Sequence, residues 1–404
     1  MLARYRKSIQ LLTEMLRRLE DHREDFNHLF DIQLLLIKLI RRTERKIAAL
    51  RNERSRVNAT LRIERPPKAL AALMKTQIED IDAKVADSKH LLYFWRCFGD
   101  GIAYLYLDKH ALKHTLFKTH DYSRKESPGA LSGKIGFRRE RGIVKVMCAR
   151  GVPALLCDLT NTIRFGDVCP LVGRDPMPIE IKSSDNRNAR VDRQIDALTT
   201  LHNFFESDVA TNFRGLPRLR RVEIGPEEVT RTDEINTCIE AAKDSGFAHR
   251  SPEPGLHYVC LRETGNMDDF NDVIPRDSIV TYLNRSKSNE TWMPYYPFTL
   301  SIREPQDLYN FMNGDMTLFV AVHVPTMVEG FAARGLFADV STEDDDYLLT
   351  LSRLGSKPPT DPFVKLSKGL FLRIAHEFQS LEWFVKSNTL YFNKTATEGP
   401  HAHN

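Results

Sequence analysis

The sequence predicts an α/β protein. A long helical, coiled-coil-like segment comes first, a mixed sheet flanked by helices follows, and a second α/β region closes the chain. Three observations carry this. Residues 1–60 contain neither Pro nor Gly and set apolar side chains at helical spacing, with charges between: Leu11, Leu12, Met15 and Leu19, then Leu34, Leu35 and Leu39. Between residues 142 and 183 the apolar period shortens to two. Beyond Pro217, strand-like and helix-like runs alternate.

At 404 residues the chain exceeds one ordinary core. The expected division is a helical arm over 1–87, a core over 88–221, a C-terminal α/β domain of unassigned role over 222–394, and a frayed tail over 395–404. Within the arm the pattern suits a long amphipathic helix or a helical hairpin, ended by Pro66 and Pro67 and resuming from about Ala69 to Asp87. Paired long helices commonly dimerise, so self-association through residues 1–87 is expected. The alternative is that both helices pack on the domain that follows. The first 65 residues hold 16 Lys/Arg against 9 Asp/Glu, a net of +7 in a chain whose total is +4. That asymmetry suits a polyanionic partner and equally a solvated, Arg-rich helix face.

From Leu91 to Leu116 the pattern is helical and aromatic, with Tyr93, Phe94, Trp95, Phe98, Tyr104 and Tyr106, and is broken at Gly99-Asp100-Gly101. A Ser/Gly/Lys-rich loop runs from Ser123 to Arg141. Four strands are then expected: Gly142 to Met147, Ala154 to Cys157, Ile163 to Leu171 and Pro178 to Ser183. A turn, Val172 to Met177, joins the last two. A helix over Ala189 to Phe205 follows, with Ile195, Leu198, Leu201 and Phe205 on one face. In the C-terminal region, strands are expected at His257 to Arg262 and Leu318 to Val324. Helices are expected at Asp233 to Lys243, Pro305 to Met312, Thr326 to Ala333 and over 363–387.

Composition excludes several classes. No run approaches the ~18 apolar residues of a membrane span, and Met1 to Gln10 lacks a secretory apolar core, so a cytoplasmic protein without membrane partners is expected. The six cysteines form no CxxC pair and read as buried thiols. No phosphate-binding Gly-rich loop ending in Lys-Ser/Thr is present. His110 and His114, with His120, lack the intervening Glu of a zinc-peptidase helix.

The informative segment is Arg164-Phe165-Gly166-Asp167-Val168-Cys169, the turn, and Pro178-Ile179-Glu180-Ile181-Lys182-Ser183. Alternate strand residues share a face, so Glu180 and Lys182 point one way while Ile179 and Ile181 enter the core. A short connection brings Asp167 beside Glu180. Two carboxylates suit Mg²⁺ or Mn²⁺, which take few protein ligands, and Lys182 stands ready to hold water or neutralise a phosphate oxyanion.

An Asp at a strand end, Glu-x-Lys on the next strand and a helix after it resemble the PD-(D/E)XK, or restriction-endonuclease-like, nuclease superfamily, over about Leu91 to Phe205. The literal Pro-Asp is replaced by Gly166-Asp167. The resemblance implies a restriction-endonuclease-like fold and a metal-dependent phosphodiester hydrolase with Asp167, Glu180 and Lys182 as its catalytic set. It further implies an acid on a preceding helix, for which Asp100 is the candidate metal ligand beside Asp167 and Glu180, and a Gln on the following helix, which Gln194 matches. Lys134, Arg138, Arg139 and Arg141, with Arg187, Arg190 and Arg193, are the candidate phosphate contacts. DNA is the favoured substrate, a role in bacterial antiviral defence fits the resemblance, and the C-terminal domain is free to bind a protein partner. Two other classes compete: a non-catalytic nucleic-acid-binding scaffold on a nuclease-like fold, and a coiled-coil assembly protein.

Overall fold

The computed structural model describes residues 2–64, 66–181, 189–221, 225–288, 291–341, 344, 346–356 and 361–398. It is mixed α/β with several small antiparallel sheets and divides into two compact units, residues 1–217 and 218–404. The expected limit at residue 87 falls inside a helix.

In the first unit, α1 (Arg6–Asp21), α2 (Phe26–Ile63) and α3 (Lys68–Tyr106) pack together. No Gly or Pro marks the break between α1 and α2. Asp25 makes it, by accepting the His28 backbone N–H at 3.0 Å as an N-cap. The apolar stripes find their partners within the chain: Ile9, Leu12, Leu16 and Leu19 of α1 and Leu29, Ile32, Leu36 and Ile40 of α2 are all buried, whereas Leu11 and Leu34 are exposed. The premise that the stripes need a second copy therefore falls away for most of their length. Ile63, Leu70 and Leu73, at the distal end of the α2–α3 pair, remain exposed. Trp95 of α3 donates from Nε1 to Thr43 Oγ1 of α2 at 3.2 Å.

The α3 helix runs through Gly99-Asp100-Gly101 instead of breaking there. The glycine is needed for packing. A Cβ at residue 99 would stand 1.9 Å from the Leu159 carbonyl oxygen, so the segment after the first strand lies directly on the helix backbone.

A short helix α4 (Lys109–His114) follows, then α5 (Phe137–Ala149), where a strand was expected from residue 142. The β-branched residues Ile143, Val144 and Val146 suggested a strand. The buried residues Phe137, Glu140, Val144 and Cys148 instead recur at helical spacing, and tertiary packing overrides the local preference. Strand β1 (Ala154–Leu156) pairs antiparallel with β2 (Val168–Pro170), much shorter than the run expected over 163–171. The expected fourth strand contributes a bridge between Val168 and Ile179, and its residues from 182 lie outside the described ones. Helix α6 (Ala189–Ser207) lies where it was expected, and β3 (Val209–Phe213) and β4 (Leu216–Arg220) form a hairpin.

The second unit contains a four-stranded antiparallel sheet of β5 (Phe247–Glu253), β6 (Leu256–Arg262), β7 (Ser278–Tyr282) and β8 (Met316–His323), in the order β5-β6-β8-β7. One face, with Leu256, Tyr258, Cys260, Leu318, Val320 and Val322, is buried, and α7 (Thr232–Ser245) packs on β5 and β6. A second sheet of β9 (Leu336–Val340), β10 (Tyr347–Arg353) and β11 (Phe363–Ser367) is also antiparallel. Strand β11 occupies the start of the expected helix over 363–387, which becomes continuous only at Leu381–Glu398. All six cysteines are buried and free. Among the described residues no helix is long and apolar enough to cross a membrane.

The Gly99 contact is testable. Gly99→Ala forces a methyl group against a backbone carbonyl that cannot rotate away, and should cost about 1–3 kcal/mol of stability. Urea unfolding that shows wild-type stability for this variant would contradict the packing of α3 on residues 157–160.

Candidate active site

Asp167 is fixed by backbone pairing on both sides. Its carbonyl accepts from Cys157 N at 2.9 Å, and its own N–H donates to the Ile179 carbonyl at 2.8 Å. Gly166 makes this approach possible: its φ is +65°, and a Cβ there would stand 2.8 Å from the Ile179 oxygen. The Asp167 carboxylate then reaches two groups. Oδ2 accepts from Ile181 N at 2.9 Å, and Oδ1 accepts from Lys134 Nζ at 2.8 Å.

Lys134 is the centre of the cluster. Its ammonium also lies 2.8 Å from Asp158 Oδ2 and 2.9 Å from Glu140 Oε2, so three charged donors face three carboxylates. Burial lowers its proton affinity, but the attraction of Asp158, with bonds to Asp158, Asp167 and Glu140, outweighs this and holds its pKa well above the ordinary lysine value. Glu140 is contributed by α5 and is buried. Asp158 follows β1, and the loop carrying Lys134 is held from two helices. Glu44 of α2 accepts from Leu131 N and Ser132 N, both at 2.8 Å. Arg96 of α3 donates to the carbonyls of Asp158 and Gly129, at 3.1 and 2.9 Å.

Glu180 joins this group from the next segment. Burial, then the negative charge of Asp167, raise its carboxyl above the usual range, against the attraction of Lys134 and Lys125. Lys125 lies 3.7 Å above the Phe165 ring, and burial lowers its pKa while Glu180 draws it up. The expected facing is reversed in one respect. Ile179 does not enter the core but is 40% exposed, and Glu180 is half-buried. The bridge between residue 179 and Val168 holds Glu180 next to the strand that follows Asp167, within electrostatic reach of that acid.

Asp100 is not brought into this group as a metal ligand. Its Oδ1 accepts from Asn161 N and Thr162 N, at 2.8 and 2.9 Å, and its Oδ2 accepts from Asn161 Nδ2 at 2.8 Å. Both oxygens are used to dock the 157–162 segment on α3. Glu140 instead is the acid on the helix preceding the sheet. Its signal was present in Arg138-Arg139-Glu140-Arg141, but a strand reading of residues 142–147 hid the helix. Lys134, expected at an open phosphate track, is enclosed by carboxylates, while Arg138, Arg139, Arg141 and Arg193 are exposed. Gln194 is half-buried on α6, and α6 is tied to the preceding segment by His202 Nε2, 3.0 Å from the Pro178 carbonyl. Lys182 and Arg187 lie outside the described residues, as does the side chain of Arg190. His114 meets the Arg214 guanidinium, Nδ1 to Nη1 2.7 Å.

Four carboxylates, from Glu140, Asp158, Asp167 and Glu180, thus gather around the ammonium groups of Lys125 and Lys134, with the Arg96 guanidinium acting on Asp158 and Arg164 acting on Lys125. Among the described residues no three His, Cys, Asp or Glu side chains stand together as metal ligands would, and the ammonium of Lys134 lies among the acids. No family model, no curated protein and no solved structure matches the chain.

Asp100 offers a test of its structural role. Burial pushes its carboxyl up to about 6, against the hydrogen bonds it accepts. Folding therefore favours the protonated acid. Its contribution to stability is full below the ordinary carboxylate value and is lost as pH rises through about 6. The stability of the wild type relative to Asp100→Asn should fall between about pH 4 and pH 6 and level off above that. A difference that stays flat across that window contradicts the assignment.

Proposed function

We propose that the chain is a metal-dependent nuclease that hydrolyses phosphodiester bonds, with Asp167 and Glu180 holding Mg²⁺ or Mn²⁺ and DNA as the favoured substrate. The observation that carries the reading is the gathering of acids from α5, the end of β1 and the start of β2 around the Lys134 ammonium, with Glu180 of the next segment within electrostatic reach of Asp167. The order of helix α5, strands β1 and β2, the pairing at Ile179 and helix α6 supports a restriction-endonuclease-like core, with Glu140 in the place of the helix acid.

When bound, the metal would act as a Lewis acid toward a phosphate oxygen and make nearby water more acidic. The chain's own groups do the rest. Asp167 is oriented by the Ile181 N–H on one oxygen and by Lys134 on the other, which leaves little rotational freedom to the ligand. Burial and the charge of Asp167 raise the proton affinity of Glu180, and a bound cation would lower it again by offsetting the charge of Asp167. Lys125 provides a positive charge beside Glu180 where negative charge builds on the phosphate. Exposed Arg138, Arg139, Arg141 and Arg193 provide backbone contacts without reading sequence.

A non-catalytic, nucleic-acid-binding reading draws on one observation: the Lys134 ammonium lies among the acids where a cation could otherwise bind. Self-association rests on the exposed Ile63, Leu70 and Leu73 at the distal end of the arm.

Incubation of the full chain with plasmid, linear DNA and RNA separates these readings. Cleavage should require Mg²⁺ or Mn²⁺, stop in excess EDTA and return on metal add-back. Asp167→Asn and Glu180→Gln should each lose at least about 100-fold of the rate, because such groups act as a unit. Undiminished cleavage in EDTA, or wild-type rates for both variants, would overturn the reading.

A further inference from the structure

The charges along α2 are segregated in a way the site does not use. Between residues 32 and 63 this helix carries two acids, and neither is exposed: Glu44 is buried on the loop amides of Leu131 and Ser132, and Glu53 is half-buried. Its exposed charges over the same stretch are all cationic: Lys38, Arg42, Arg45, Arg51, Arg54, Arg56 and Arg62. Arg54 is neutralised by Asp82, at 2.7 Å. Lys38, Arg42, Arg45 and Arg56 form no ion pair among the described residues. Their spacing places these four within about 60° of one another around the helix, on a single stripe. Asp31, exposed on the same side, closes the stripe at its N-terminal end.

We infer that this stripe is a second nucleic-acid contact, a track that holds the sugar-phosphate backbone of a duplex away from the acidic cluster. The inference rests on the nuclease reading only for the choice of polyanion. From Lys38 to Arg56 the helix rises about 27 Å, the length of about eight base pairs of duplex. A straight file of cations on a rigid helix suits a regularly spaced line of phosphates. A membrane surface would ask for apolar residues beside the cations. Here Ala49 and Asn52 stand on the stripe, Leu34 is an exposed large apolar residue beside it, and Ile37, Ile40 and Ile47 of α2 are buried in the fold.

The stripe also borders the site. Arg41, next to it on the helix, lies 5.7 Å over the Phe137 ring at the start of α5. That same helix carries Glu140 on its buried side and Arg138, Arg139 and Lys145 on its exposed side. Backbone held on α2 therefore continues onto the cations of α5. The track sets a length requirement: duplexes too short to reach from α5 along α2 lose its contribution.

The test is equilibrium binding of the full chain to a labelled duplex of about 25 base pairs in EDTA, at several salt concentrations, read by fluorescence anisotropy. Each phosphate contact adds about 0.9 to the slope of log K against log salt. Replacing Lys38, Arg42, Arg45 and Arg56 together by Gln should reduce that slope by about 3 to 4 and weaken binding at low salt by at least 30-fold. Replacing the three arginines by Lys should preserve the slope. A slope unchanged by the Gln variant, with circular dichroism showing it folded, overturns the inference, even if metal-dependent cleavage is intact. So does binding of the wild type to phosphatidylserine vesicles without binding to the duplex. Slope loss in a chain that never cleaves would leave the track standing and remove the nuclease reading instead.

Discussion

The first unit is organised around the placement of one ammonium group. Lys134 lies within 2.9 Å of three carboxylates that come from three different parts of the chain. Without a cation there, Glu140, Asp158 and Asp167 would repel one another across a partly desolvated space. The scaffold around Lys134 follows from this requirement. Glu44 and Arg96 hold its loop from α2 and α3, and the bare backbone of Gly99 lets the segment bearing Asp158 lie directly on α3. Two long helices that look from composition like an assembly device act here as the wall on which the cluster is built.

Glycine before Asp167 has a local reason. Residue 166 adopts a left-handed conformation and sits against the backbone of residue 179. Proline cannot adopt that φ, and any side chain would displace the neighbouring segment. Glycine thus exchanges the rigidity of proline for closeness, and Asp167 and Glu180 come within electrostatic reach of each other with little regular sheet between them.

Much of the architecture was legible in the sequence because burial imposes a period. The arm helices, α6, α7 and the strands β6 and β8 all follow their apolar spacing. The misreadings share a cause, which is that decisive contacts came from distant residues. Ile143, Val144 and Val146 signal a strand locally, yet the buried set Phe137, Glu140, Val144 and Cys148 makes that segment helical. Gly99-Gly101 signals a break, yet packing against Leu159 keeps the helix continuous. In the site, the nearness of Asp167 and Glu180 follows from the short connection between their segments, although the strand facing expected around Glu180 does not hold, and Glu140 and Asp158 were not legible. Their roles depend on Lys134, a loop residue whose position no periodicity encodes.

Binding of one divalent cation at the acid cluster, beside the Lys134 ammonium, is the proposal on which the nuclease reading depends. Isothermal titration of Mn²⁺ into the full chain, without nucleic acid, measures this independently of any reaction. One saturable ion per chain should bind in the wild type, with affinity reduced at least about tenfold in Asp167→Asn, because a direct carboxylate ligand is lost. The absence of saturable binding, or binding unaltered by Asp167→Asn, would contradict the account.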